Sequence, residues 1–176
     1  MWKMRLQRLT DGGSELFDQA FALYEDAFPY AERRDKAETL RALKKDQYRF
    51  CVLTEEDRFI GIMLFWVTGK VLFLEHFAIC KNLRGKGYGS AALALLKEMD
   101  LPIILEIEPP EEDYQIKRYD FYKRNGFVMT PHHHVQAKYH IGDKDLVLKI
   151  LSYPDPVSRE EYDDFYSFLM REVSIK

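Results

Sequence analysis

"VLFLEHFAICKNLRGKGYGSAALALLKEM", residues 71–99, decides the fold. Its first nine residues form an apolar run of strand character. In its last part Tyr88, Ala91, Ala92, Leu95, Leu96 and Met99 recur at the spacing of one helical face. Between them stands "NLRGKGYGS" at 82–90, with glycines at alternating positions, two cations and no acid. The next run, "LPIILEIE" at 101–108, reads as a buried strand, so the whole segment is a strand–helix–strand crossover with two parallel strands.

Upstream, "YRFCVLT" at 48–54 and "FIGIMLFWV" at 59–67 are strands joined at "EEDR", and "TGK" links the second to the run at 71–79. These short links predict an antiparallel meander. "KMRLQRL" at 3–9 alternates as a half-buried strand, and "DGGS" follows as a turn with Ser14 able to cap a helix. That helix carries Phe17, Ala20, Phe21 and Tyr24 until Pro29 stops it, and a more polar helical stretch covers about 32–45.

Downstream, "PPEED" reads as an acidic loop and "YQIKRYDFYKRNG" as a helix closed by Asn125 and Gly126. "FVMT" and "DLVLKIL" are late strands on either side of a polar, histidine-rich loop. Pro154 and Pro156 precede a last helix over about 158–173. The order predicts an α/β (α+β) protein: one mixed, mostly antiparallel sheet with a central parallel strand pair and flanking helices. A chain of 176 residues suits one domain, here 1–153, with 154–176 a helical extension packed on it.

Composition narrows the function. The formal charge is −3 and the 26 cations are dispersed, which argues against a nucleic-acid partner. Apolar runs broken by Glu75, His76 or Lys97 fall short of a membrane span. Cys51 and Cys80 lie inside apolar stretches without CxxC spacing, which predicts buried free thiols in a reducing cytoplasm and no thiol nucleophile.

A helix start presents unpaired backbone N–H groups and the positive end of its dipole. A loop stripped of Cβ atoms there can close on an anion, and Arg84 and Lys86 add charge, so phosphate or pyrophosphate suits it. The spacing Gly85, Gly87, Gly89 fits neither a P-loop nor a dinucleotide fingerprint. The plainer alternative is a turn that lets the helix pack closely on its strand.

Arg84-x-x-Gly87-x-Gly89, after a buried strand and opening a helix, resembles the signature of the GNAT superfamily of acetyl-CoA-dependent N-acetyltransferases. "FYKRNGF" at 121–127 resembles that family's second landmark, in the same order. The resemblance implies a splayed central strand pair, acetyl-CoA as co-substrate without a metal, and a small-molecule or peptide amine as acceptor. It implies that Arg84, Gly85, Lys86, Gly87, Tyr88, Gly89 and Ser90 hold the pyrophosphate, and that Phe77, Ala78 and Ile79 meet the pantetheine arm. It also implies a tyrosine, Tyr122, beside the sulfur.

Acetyl transfer from a thioester needs a neutral amine, stabilisation of the carbonyl oxygen and a proton for the thiolate. Tyr122 is the expected acid, against the alternative of a helix aromatic in the core. Glu75 interrupts an apolar strand, and a buried carboxylate needs a reason. It is either the base, direct or through water, or one half of a buried ion pair. Strand alternation sets it with Phe73, Phe77 and Ile79 and sends His76 the other way, as a structural histidine. Glu106 and Glu108, at the end of the next strand, are reserve candidates for base or amine binding. The adjacent His132, His133 and His134 lack metal-ligand spacing and read as a polar loop. The expected protein is a cytoplasmic N-acetyltransferase, monomeric or dimeric. The alternative is a coenzyme-A-binding sensor of the same fold without turnover.

Overall fold

The computed structural model describes residues 3–175. The chain divides into two compact units, one ending at Leu101 and one beginning at Pro102.

The first unit contains β1 (Met4–Leu9), α1 (Glu15–Ala27), α2 (Lys36–Ala42), β2 (Tyr48–Glu55), β3 (Arg58–Val67), β4 (Leu72–Ile79) and α3 (Tyr88–Lys97). Its strands lie in the order β1-β2-β3-β4, each pair antiparallel. The β2–β3 turn places Glu56 and Asp57 at φ of 47° and 66°, the double left-handed geometry that matches the twist of a tight hairpin. Ser14 caps α1 by accepting from the Phe17 N–H at 3.1 Å, as its position predicts. The aromatic face of α1 then packs down on the sheet, with Phe17 and Tyr24 5.6 and 6.3 Å from the Phe50 ring. Each such fully buried side chain contributes about 1.5–3 kcal/mol.

The polar helix is shorter than its sequence suggests. Asp35 accepts from the Glu38 N–H at 2.7 Å and starts α2 at Lys36, while Tyr30–Glu32 forms a separate tight turn. Arg33 and Arg34 are thereby left outside any helix, and Arg34 is free to turn inward.

In β4 the ladder slips. Leu64 pairs with His76 and Phe65 with Leu74, so Glu75 is an extra residue, a β-bulge. The strict alternation expected here is broken, and the side chains of Glu75 and His76 approach one another, with His76 Nδ1 3.9 Å from Glu75 Oε1. The bulge is the reason that His76 does not point away from Glu75.

The second unit contains β5 (Ile103–Ile107), α4 (Asp113–Arg124), β6 (Val128–Val135), β7 (Val147–Tyr153) and α5 (Arg159–Phe168), which runs on as a wide turn over Leu169–Val173. Its strands are ordered β5-β7-β6, both pairs antiparallel. α4 opens on a reciprocal Glu112–Gln115 cap, and Gly126 at φ 86° closes it, as its sequence predicts. Ser158 and Glu161 make the same reciprocal cap on α5.

The histidine-rich stretch is strand, not loop. Thr130 pairs with Ile150 and His134 with Leu148, leaving Pro131, His132 and His133 opposite Lys149. That local irregularity accommodates the proline, which has no N–H for a regular ladder. No helix among the described residues is long and apolar enough to cross a membrane.

Candidate active site

The glycine loop is built as its composition suggests. β4 ends at Ile79, a single tight turn covers Lys81–Leu83, and the buried Leu83 anchors it. The Arg84 guanidinium donates from Nε to the Ile79 carbonyl at 3.0 Å, tying the loop to the strand it leaves. Gly85 and Gly87 adopt φ of 73° and 86°, which side-chain-bearing residues rarely adopt, and Gly87 caps α3. A methyl group at Gly85 would meet no atom within 4 Å, so the backbone there is open to an approaching group. Lys86 on the loop and Ser90 in the first turn of α3 are exposed. Tyr88 is buried and its hydroxyl donates to Glu55 Oε2 at 2.8 Å, so what it brings to the loop is its backbone. On β4, Phe77 is half-buried and Ala78 and Ile79 are buried.

Glu75 sits in a sealed polar nest. Its side chain has 0% of its surface exposed and that of Arg34 7%. Arg34 Nη1 donates to Glu75 Oε1 at 2.7 Å, and the Trp66 indole donates to the same oxygen at 3.0 Å. The Arg34 guanidinium also lies over the rings of Tyr48 and Trp66, 5.3 and 5.7 Å from their centroids. Its backbone N–H donates to Tyr24 Oη at 2.9 Å. The ion pair weighed for Glu75 from the sequence is thus present, and its partner is Arg34. Neither Arg34 nor Trp66 stands out in the sequence, because one lies in a polar link and the other in a continuous apolar run. Beside them His76 donates from Nε2 to the Glu32 carbonyl at 2.7 Å, and burial pushes its pKa down to about 4, so it is neutral.

In the second unit Tyr122 is 9% exposed, with its ring 5.1 and 5.5 Å from those of Phe121 and Phe127. Burial pushes its hydroxyl up to about 12, opposed by the charge of Arg118. The phenol therefore keeps its proton at neutral pH and can only donate it. Glu106, on β5, accepts from His134 Nε2, and Glu108 Oε2 accepts from Tyr114 at 3.0 Å and Gln115 at 2.7 Å. His134 is itself buried against Tyr162, and His132 donates from Nε2 to the Val157 carbonyl at 2.9 Å. His134 and Tyr162 gave no signal in the sequence beyond a histidine run and an aromatic helix stripe. Among the described residues no histidine, cysteine and carboxylate group together in a way that could hold a metal ion.

Both cysteines are free thiols. Cys51 is buried, and burial pushes it up to about 12; Cys80 is only half-buried, not fully buried as its apolar setting suggests.

Residues 17–127 match a family model described as the acetyltransferase (GNAT) family. The chain is 33% identical over 102 residues to "Putative acetyltransferase YjbC" of Bacillus subtilis (strain 168). That match covers 57% of this chain and 52% of the relative, about half its length. A solved structure described as "Putative acetyltransferase from GNAT family" of Bacteroides thetaiotaomicron has a TM-score of 0.90 at 25% identity, covering 98% of this chain and 99% of that one. A GNAT family acetyltransferase of Elizabethkingia anophelis with acetyl-CoA bound has a TM-score of 0.56 at 12% identity, covering 85% and 96%, a likeness of fold. The mixed, mostly antiparallel α/β fold expected from the sequence is the fold these structures share with it.

Proposed function

The chain belongs to the acetyltransferase (GNAT) family, and from that premise we propose that it transfers the acetyl group of acetyl-CoA to a primary amine by direct attack. The observation that carries the reading is the loop over 84–90. Two left-handed glycines, an open approach at Gly85 and a helix start at Tyr88 suit a diphosphate held by backbone N–H groups. Arg84, Gly85, Lys86, Gly87, Tyr88, Gly89 and Ser90 line that cradle in this reading, and Phe77, Ala78 and Ile79 lie along the thioester arm.

The amine nitrogen attacks the acetyl carbon, the carbonyl oxygen takes the charge, and the carbon–sulfur bond breaks as the tetrahedral species collapses. An alkylammonium titrates near pH 10.4, so it must lose a proton first; in this reading Glu75 takes it, directly or through water. Arg34 and Trp66 hold that carboxylate in one orientation. Tyr122, with its proton retained, donates to the departing thiolate.

One observation favours a second reading, a coenzyme-A-binding sensor without turnover: Glu75 Oε1 already holds two donors. Thiol release from acetyl-CoA over a panel of small and peptide amines separates them. Turnover on any amine supports the enzyme. Tight calorimetric binding of coenzyme A without turnover supports the sensor, and no binding overturns both.

A further inference from the structure

We propose that Glu106 is the carboxylate on which the acceptor's ammonium group docks, and that His134 and Tyr162 are positioning residues that fix it for that purpose. The inference rests on the acetyltransferase reading and adds the station at which the amine is held.

The three side chains come from three elements, β5, β6 and α5. Glu106 Oε2 accepts from His134 Nε2, and His134 Nδ1 lies 2.8 Å from the Tyr162 hydroxyl. The same hydroxyl lies 3.1 Å from the His133 carbonyl. The hydroxyl has one proton to share between two acceptors. With a neutral imidazole it donates to Nδ1; with an imidazolium it accepts from Nδ1–H and donates to the carbonyl. In either state Nε2–H faces the carboxylate, so Glu106 is held as an acceptor throughout.

The chain is graded in depth. His134 has 0% of its side chain exposed and is boxed by Tyr162 and by the Phe165 ring 6.2 Å away. Glu106 has 11% exposed, so the carboxylate is the end that reaches the surface. An apolar trio of similar volume would stabilise the fold as well or better, which makes a buried carboxylate–imidazole–phenol chain costly unless its charge is used. Glu75 contrasts with it: there Arg34 compensates the charge internally. The side-chain donors at Glu106 and Glu108 are instead histidine, tyrosine and glutamine. A carboxylate held by a histidine rather than by an arginine or lysine, and open at one edge, is the complement of a cation. The family model ends at residue 127, so His134 and Tyr162 lie beyond it, and this fixing of the acid belongs to the part of the chain that the model does not describe.

The test uses the full-length protein and the amine that the panel turns over fastest. Glu106→Gln, which keeps the shape, should raise the amine KM about tenfold or more, the worth of one charge-assisted hydrogen bond, with kcat and the acetyl-CoA KM within about threefold. Tyr162→Phe should raise the amine KM by a smaller factor in the same direction, and Glu106→Asp should recover part of the loss. Tyr166→Phe, on the exposed side of α5, should leave all constants unchanged. An unchanged amine KM in Glu106→Gln overturns the proposal, whether kcat holds or falls. A Tyr162→Phe variant that melts earlier with unaltered constants overturns the positioning role. A parent protein that binds coenzyme A yet turns over no amine defeats the enzyme reading instead.

Discussion

Arg34 Nη1 lies 2.7 Å from Glu75 Oε1 in a nest closed by Trp66, Tyr48 and Tyr24. Removing one member of such a pair strands the other without solvent. Arg34→Met should therefore cost about 3–5 kcal/mol, and Arg34→Met with Glu75→Gln clearly less than the sum of the two single changes. A urea-denaturation double-mutant cycle measures the coupling. Additive costs would mean that the two groups do not depend on each other. Glu75→Gln alone should lower kcat about a hundredfold if the carboxylate takes the amine's proton.

Tyr122→Phe removes a proton donor and little packing, because the ring contacts to Phe121 and Phe127 remain. The expected result is a kcat lower by about ten- to a hundredfold with an unchanged acetyl-CoA KM and melting temperature. A kcat equal to the parent's takes Tyr122 out of the mechanism. Its pushed-up pKa also predicts no loss of activity from phenol ionisation below about pH 11, read from the alkaline limb of the rate profile.

Gly85→Ala and Gly87→Ala test the loop. Both glycines are left-handed, so alanine costs about 1–2 kcal/mol of backbone strain, although at Gly85 there is room for the methyl. The loop should answer by shifting its backbone, and coenzyme A binding should weaken about tenfold or more by calorimetry. Binding equal to the parent's in both variants would separate the loop from the cofactor.

His76 makes stability fall with acid. Its pKa is about 4 in the folded protein and near 6.5 when unfolded, so between those values the unfolded chain binds the extra proton. Stability therefore rises with pH across that window, and the full loss below it is about 3 kcal/mol. His76→Gln, which can still donate to the Glu32 carbonyl, should flatten that part of the stability–pH curve. An identical slope in parent and variant would exclude His76 as its source.

The strands from Tyr48 to Ile79 and the α3 helix were readable because hydrophobic periodicity and short turns report local geometry directly. Ser14, Asn125 and Gly126 marked helix ends for the same reason, whereas the Glu112 cap lay within what reads as an acidic loop. Two errors had one cause. Glu75 with His76, and the run His132–His134, sit at ladder irregularities, where a two-residue period no longer says which way a side chain faces. The partners of the candidate acids were hidden for another reason. Arg34 meets Glu75, and Tyr162 meets His134, across 41 and 28 positions of chain, and separations of that kind follow from tertiary packing alone.

The irregularity in β4 and the acid within it are one residue. Loss of the single codon for Glu75 would restore a regular ladder and erase the carboxylate in the same event, leaving Arg34 without its counterion. Strand geometry and acidity at this position are thus inherited together, and a descendant could not trade one away while keeping the other by deletion alone.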